Sequence, residues 1–184
     1  MRYRSRTFHH LSKGNPMSLS MYQASVPVFV RGLSNLKHVL QKGQAHAKAK
    51  NVPDEVMLQT RLIADMLPLA KQVQIATDAA KGCVARLAGV EPIAVPDVEV
   101  TFDELQARLD KVIDYVKSFQ ASQIDGSEDR AIVLKMRSGE LNFTGQEYLL
   151  GFALPNMFFH ITTTYAILRE AGAELGKNDY LGNR

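Results

Sequence analysis

The chain has no tryptophan and one cysteine, Cys83, among its 184 residues. A single thiol excludes an internal disulfide and any cysteine-based zinc knuckle. Cys83 sits among Ala79, Ala80 and Val84, which marks a core thiol rather than a nucleophile. Freedom from disulfides suits a cytoplasmic protein. No apolar run is long enough to cross a bilayer, so no membrane partner is expected. The Gly-rich phosphate loop, the His-Glu-x-x-His zinc motif and the Gly-x-Ser-x-Gly elbow are all missing. Their absence weakens nucleotide, zincin and hydrolase readings. It leaves open enzymes whose ligands are spread over several helices. The alternation of strand and helix that builds a parallel sheet is also missing.

Charge is unevenly placed. Met1–Pro16 holds four basic residues and no acid, which leaves 18 basic against 19 acidic residues from Met17 onward. The body is therefore near neutral and offers no net attraction to a phosphate backbone, so no nucleic-acid partner is expected. Residues 1–16 read as a basic disordered leader: a targeting peptide, or sequence upstream of a working start at Met17. The leader lacks the apolar centre of a secretory signal. The whole chain is 46% apolar, and residues 17–184 are enough for one domain with a full core.

The apolar spacing predicts four long helices. Met21, Ala24, Val28, Leu33, Leu36 and Leu40 place the first over about Ser20–Ala49, with Pro27 kinking it or restarting it. The second is expected over about Thr60–Leu87, kinked at Pro68. Thr101-Phe-Asp-Glu104 is a capping box that opens the third. Ala131–Met136 and Glu140–Thr144 change to strand period around Arg137-Ser-Gly139, which reads as a small hairpin. The fourth helix is expected from Gly145 to Glu170, bent or restarted at Pro155, with a polar tail beyond. The expected fold is all-α: a four-helix bundle with a small β-hairpin before the last long helix.

Polar residues that interrupt these apolar faces are the candidates for a site. His160 lies in Phe152-Ala-Leu-Pro-Asn-Met-Phe-Phe-His-Ile-Thr-Thr-Thr-Tyr-Ala-Ile-Leu-Arg169, with Asn156 one turn before it and Thr164 one turn after. A neutral imidazole in such a setting is a competent metal ligand, or it hydrogen-bonds to a neighbouring helix. One histidine is not a metal site: structural zinc takes four protein ligands and catalytic zinc three. On the second helix, Asp65 and Gln72 are seven apart and would align, with Arg61 a turn before Asp65. Arg61 and Asp65 would form an ordinary intrahelical pair, or Asp65 or Gln72 would face His160 across the bundle. His38 and His46 lie in polar surroundings and read as solvent-facing.

Four separated blocks carry a family resemblance. Ser18-Leu-Ser-Met-Tyr22 with Val26-Pro-Val-Phe29, then Asp65-Met-Leu-Pro-Leu-Ala-Lys-Gln-Val-Gln-Ile75, then Phe152–Arg169, then Leu175-Gly-Lys-Asn-Asp-Tyr-Leu-Gly182 resemble DUF1993, an uncharacterised family. That family is related to the DinB/YfiT-like group of metalloenzymes. The resemblance spans 17–182. It implies a DinB-type bundle, commonly a homodimer. It also implies a divalent metal, zinc or nickel, held by three histidines, and chemistry on small thiols. One histidine would come from the second helix and two, spaced His-x-x-x-His, from the last. Here the last-helix pair falls on His160 and Thr164 and the second-helix position near Gln72, so the three-histidine set is absent. Two expectations follow. Either a weaker metal site uses His160 with Gln72, Asp65 or Asn156, or these four residues bind a small molecule without metal. The alternative is a non-catalytic dimeric scaffold, with His160 satisfied in the core.

Overall fold

The computed structural model describes residues 19–136 and 139–182; the basic leader lies outside them. Helix α1 spans Met21–Ala49. It opens on a reciprocal cap in which Gln23 N donates to Ser20 Oγ (3.2 Å) and Ser20 N to Gln23 Oε1 (3.1 Å). Pro27 sits inside this helix and does not restart it.

The second helix departs from expectation. A short α2, Asp54–Leu58, is followed by an irregular segment, and α3 begins only at Leu69 and ends at Ala88. Pro68 is the residue before α3, not a kink within it. Its ring disfavours helical geometry at Leu67, and its missing N–H costs nothing at a helix start. The chain still closes tightly there, since Leu69 N donates to Thr60 O at 2.9 Å. Asp65 consequently lies on an exposed turn, off any helical face shared with Gln72. The Arg61–Asp65 pair does not form; Arg61 donates instead to the carbonyl of Met66.

Helix α4, Phe102–Lys117, carries the predicted capping box at Thr101 and Glu104. A short α5, Ala121–Ile124, leads to the hairpin β1 (Ile132–Met136) and β2 (Gly139–Phe143). The strands are antiparallel, with Ile132 opposite Phe143 and Leu134 opposite Leu141. Ile132 and Leu134 face the core while Val133 faces outward. The hairpin is fixed by an aromatic cluster of Phe143, Tyr148 and Phe152, with centroids 5.6–5.9 Å apart.

The last long helix is continuous but not uniform. A first turn, α6 (Gly145–Glu147), passes into a π-helical turn at Tyr148–Ala153 and then into α7, Leu154–Glu170. Leu154 N donates to Leu149 O, a five-residue span. Pro155 explains the widening: it has no N–H for the carbonyl of Gly151, and its ring would strike that carbonyl in a regular helix. The tail contains one more helix, α8 (Lys177–Leu181), docked on α1.

Helices α1, α3, α4 and α6–α7 form the bundle. α3 packs on α7 and α4, and α1 on α4 and α7. Phe29, Leu33, Leu36 and Leu40 meet Leu69, Val73, Ala80, Leu105, Leu109 and Met157 in the core. Each of these side chains larger than alanine stabilises by roughly 1.5–3 kcal/mol. Gly43 lets α7 approach α1 closely, because a Cβ there would lie 2.7 Å from Leu168. Among the described residues, no helix is long and apolar enough to cross a membrane.

Candidate functional site

The site is built where the start of α3 meets α7. Gln72 is the fourth residue of α3 and is 1% exposed. Its Nε2 donates to the carbonyl of Leu67 at 2.8 Å. That carbonyl can only accept, so the amide orientation is determined and Oε1 must point the other way. Oε1 lies 2.7 Å from Nδ1 of His160. An amide oxygen can only accept, so Nδ1 carries the proton, and the lone pair of the neutral ring is on Nε2.

The rest of the shell is apolar or internally satisfied. Thr164 Oγ1 donates to the carbonyl of His160 at 2.9 Å, and Thr163 Oγ1 to that of Phe159 at 2.9 Å. The Phe159 ring stands edge-on to the imidazole, centroids 5.2 Å apart. Burial holds the imidazole below its ordinary pKa by penalising the charged form. Nε2 has no protein partner among the described residues and is not sealed from solvent. The site therefore presents a neutral base, oriented by an amide and free at one nitrogen.

Of the sequence candidates, the structure joins Gln72 and His160 directly. Asn156 is half-buried one turn before His160 and makes no side-chain hydrogen bond among the described residues. Asp65 is exposed and outside the cluster. His38 is exposed, as expected, and pairs with Asp179 at 2.9 Å. His46 is instead half-buried: its Nε2–H donates to the carbonyl of Ala171 (3.0 Å) and closes the end of α7. Cys83 is fully buried, and burial pushes its thiol far up. Beside the site, Leu62, Met66, Pro155, Phe158, Phe159 and Thr163 line an apolar groove of about 460 Å³. Sequence reasoning missed this groove because it depends on the irregular segment before Pro68 folding back onto α7.

A profile for a domain of unknown function, DUF1993, matches residues 21–181. The chain belongs to the DUF1993 family. Its fold is also that of a crystal structure of a DinB family member protein from Shewanella denitrificans. The two share 38% sequence identity at a TM-score of 0.80, over 89% of this chain and 92% of that one. No curated protein matches the chain. This DUF1993 member thus has the DinB-type bundle that its residues resemble, but the three-histidine centre does not fit. Thr164 stands where the resemblance would put a second imidazole, and it spends its hydroxyl on the helix backbone. The second-helix position that the resemblance implies would fall near Gln72, which spends its amide oxygen on Nδ1. Among the described residues, no three His, Cys, Asp or Glu side chains converge as a metal would require.

Proposed function

We propose that His160 is the centre of a small-molecule site that works without a resident metal. The observation that carries this reading is the Gln72 Oε1–His160 Nδ1 contact of 2.7 Å, which fixes the tautomer and leaves Nε2 as an acceptor. A ligand with a protic head group would donate to Nε2 and lay its apolar part on the groove at Phe159 and Thr163. A small thiol is one such ligand: its S–H proton would pass to Nε2, giving a thiolate beside an imidazolium.

The test is ¹⁵N NMR of the imidazole in protein prepared without a histidine tag, titrated with glutathione and dithiothreitol. Nε2 should be unprotonated at neutral pH, respond saturably to a thiol, and give no response in His160→Gln. A stoichiometric divalent metal, retained on purification and lost in His160→Ala, would overturn the reading.

One observation favours a second reading, a dimeric scaffold. Leu62, Ile63, Leu67 and Phe159 are 40%, 62%, 44% and 56% exposed alongside the groove, an apolar surface that a second copy could cover. Light scattering separates the two readings. A dimer that becomes monomeric in Ile63→Asp, with no ligand response in the parent, supports the scaffold.

A further inference from the structure

The opposite end of α3 carries a different kind of cleft. It is open, about 640 Å³, and lies between residues 86–92 and the start of β1. Three cations line it, Arg86, Arg130 and Lys135, against one carboxylate, Glu91. None of the three forms an ion pair among the described residues.

One of the cations is held in place and a second lies close to the backbone. Arg86 folds back over Gly82, where a Cβ would fall 2.4 Å from its Nη1, and that Nη1 donates to Tyr148 Oη at 3.2 Å. Arg130 lies over Gly89, where a Cβ would meet its Nη1 at 2.3 Å. Gly89 adopts φ +72° as the left-handed cap of α3, so glycine is favoured there for its conformation. Lys135 comes from the outward face of β1, the face of Val133, and stands opposite Glu140 on β2. The nearest groups to Arg86 do not neutralise it. Burial pushes the Tyr148 phenol up to about 12 and the Cys83 thiol higher still, so both stay uncharged.

We propose that this cleft binds an oxyanion of two or more negative charges, a phosphate ester or a polycarboxylate, at a site separate from His160. The separation follows from α3 itself: Arg86 is fourteen residues beyond Gln72, about 21 Å along a helix. Guanidinium forks match carboxylate and phosphate geometry, and Lys135 adds a point charge. The outward face of the hairpin supplies one wall and the exit of α3 the other, so neither part alone makes the site.

The test is amide NMR titration with pyrophosphate and with citrate at about 0.15 M ionic strength, where diffuse attraction is screened beyond about 8 Å. Saturable shifts confined to residues 86–92 and 130–135 are expected for at least one probe. The better binder identifies the ligand as phosphate- or carboxylate-bearing. Arg130→Gln with Lys135→Gln should weaken binding by about ten-fold or more. Both side chains are exposed, so the pair should melt as the parent does. Lys48→Gln with Lys50→Gln, a basic pair at the end of α1, should change binding by less than about two-fold. The proposal fails if neither probe saturates, or if both double variants weaken binding equally.

Discussion

His160 Nδ1 and Gln72 Oε1 meet at 2.7 Å across 88 residues of sequence. The contact is buried and single: Gln72 has spent its other amide group on Leu67, and the one remaining ring nitrogen, Nε2, is an acceptor in this tautomer. The chemistry proposed for the bundle depends on this one bond.

Gln72→Leu should cost about 1–3 kcal/mol, because it leaves the Nδ1 donor unpaired in an apolar shell. It should also release the tautomer, so that ring ¹⁵N shifts average between the two forms. Gln72→Glu should instead raise the imidazole pKa by placing a carboxylate against it. Urea unfolding with ring NMR checks both.

Stability should fall on mild acidification. Burial lowers the folded pKa of His160, so as pH drops the unfolded chain takes up this proton first, near 6.5. The associated stability is fully present above that value and is lost as pH falls toward the folded value. Urea midpoints compared between the parent and His160→Gln over roughly pH 7.5 to pH 5 should show this part of the slope missing in the variant.

Arg108 is the most deeply buried charge on α4, its side chain 1% exposed. It pairs with Asp78, Asp97 and Glu99 at 2.9–3.0 Å and donates from Nε to Thr77 Oγ1 at 2.7 Å. Lys71 and Lys81 balance the remaining carboxylates. Arg108→Met should destabilise by about 3 kcal/mol, the low end for a broken buried pair because Asp78 and Asp97 reach solvent. Faster amide exchange in 90–101, the loop that Arg108 anchors, should accompany the loss.

Gly145 opens α6 under the hairpin, where a Cβ would lie 2.0 Å from the carbonyl oxygen of Ser127. Backbone cannot swing aside as a side chain does. Gly145→Ala should therefore cost about 1–3 kcal/mol. Thermal unfolding measures it, with hairpin amides losing protection before those of α1.

Much of the bundle was legible in the residues. Thr101 and its partner Glu104 three residues on are a local signal, and the structure carries that capping box where it falls. The hairpin was legible from its change of period. Pro68 was misread because a proline inside an apolar stripe is equally compatible with a kink and with a start. Only the packing of 59–67 outside the helix distinguishes them. Arg108 had a usable signal that went unread: it shares the stripe of Leu105, Leu109 and Val112, so a helix buried on that face must bury a guanidinium. Its carboxylates come from α3 and the 90–101 loop, which no spacing rule relates to α4.

The sequence by itself determined that four amphipathic helices must pack together and that His160 lies on a buried face, because helical period and apolar placement are local properties. It also determined that His160 is followed by Thr164 rather than by the second histidine of the His-x-x-x-His spacing that the resemblance implies. Only the tertiary structure decided that Gln72 meets His160, that Asp65 does not, and that Nε2 is the free nitrogen. Those facts depend on an amide whose orientation is set by the Leu67 carbonyl, and on a helix that starts after Pro68 rather than running through it. A hydrogen bond of a few ångströms between distant segments is a consequence of how the helices dock, and no periodicity within either segment encodes it.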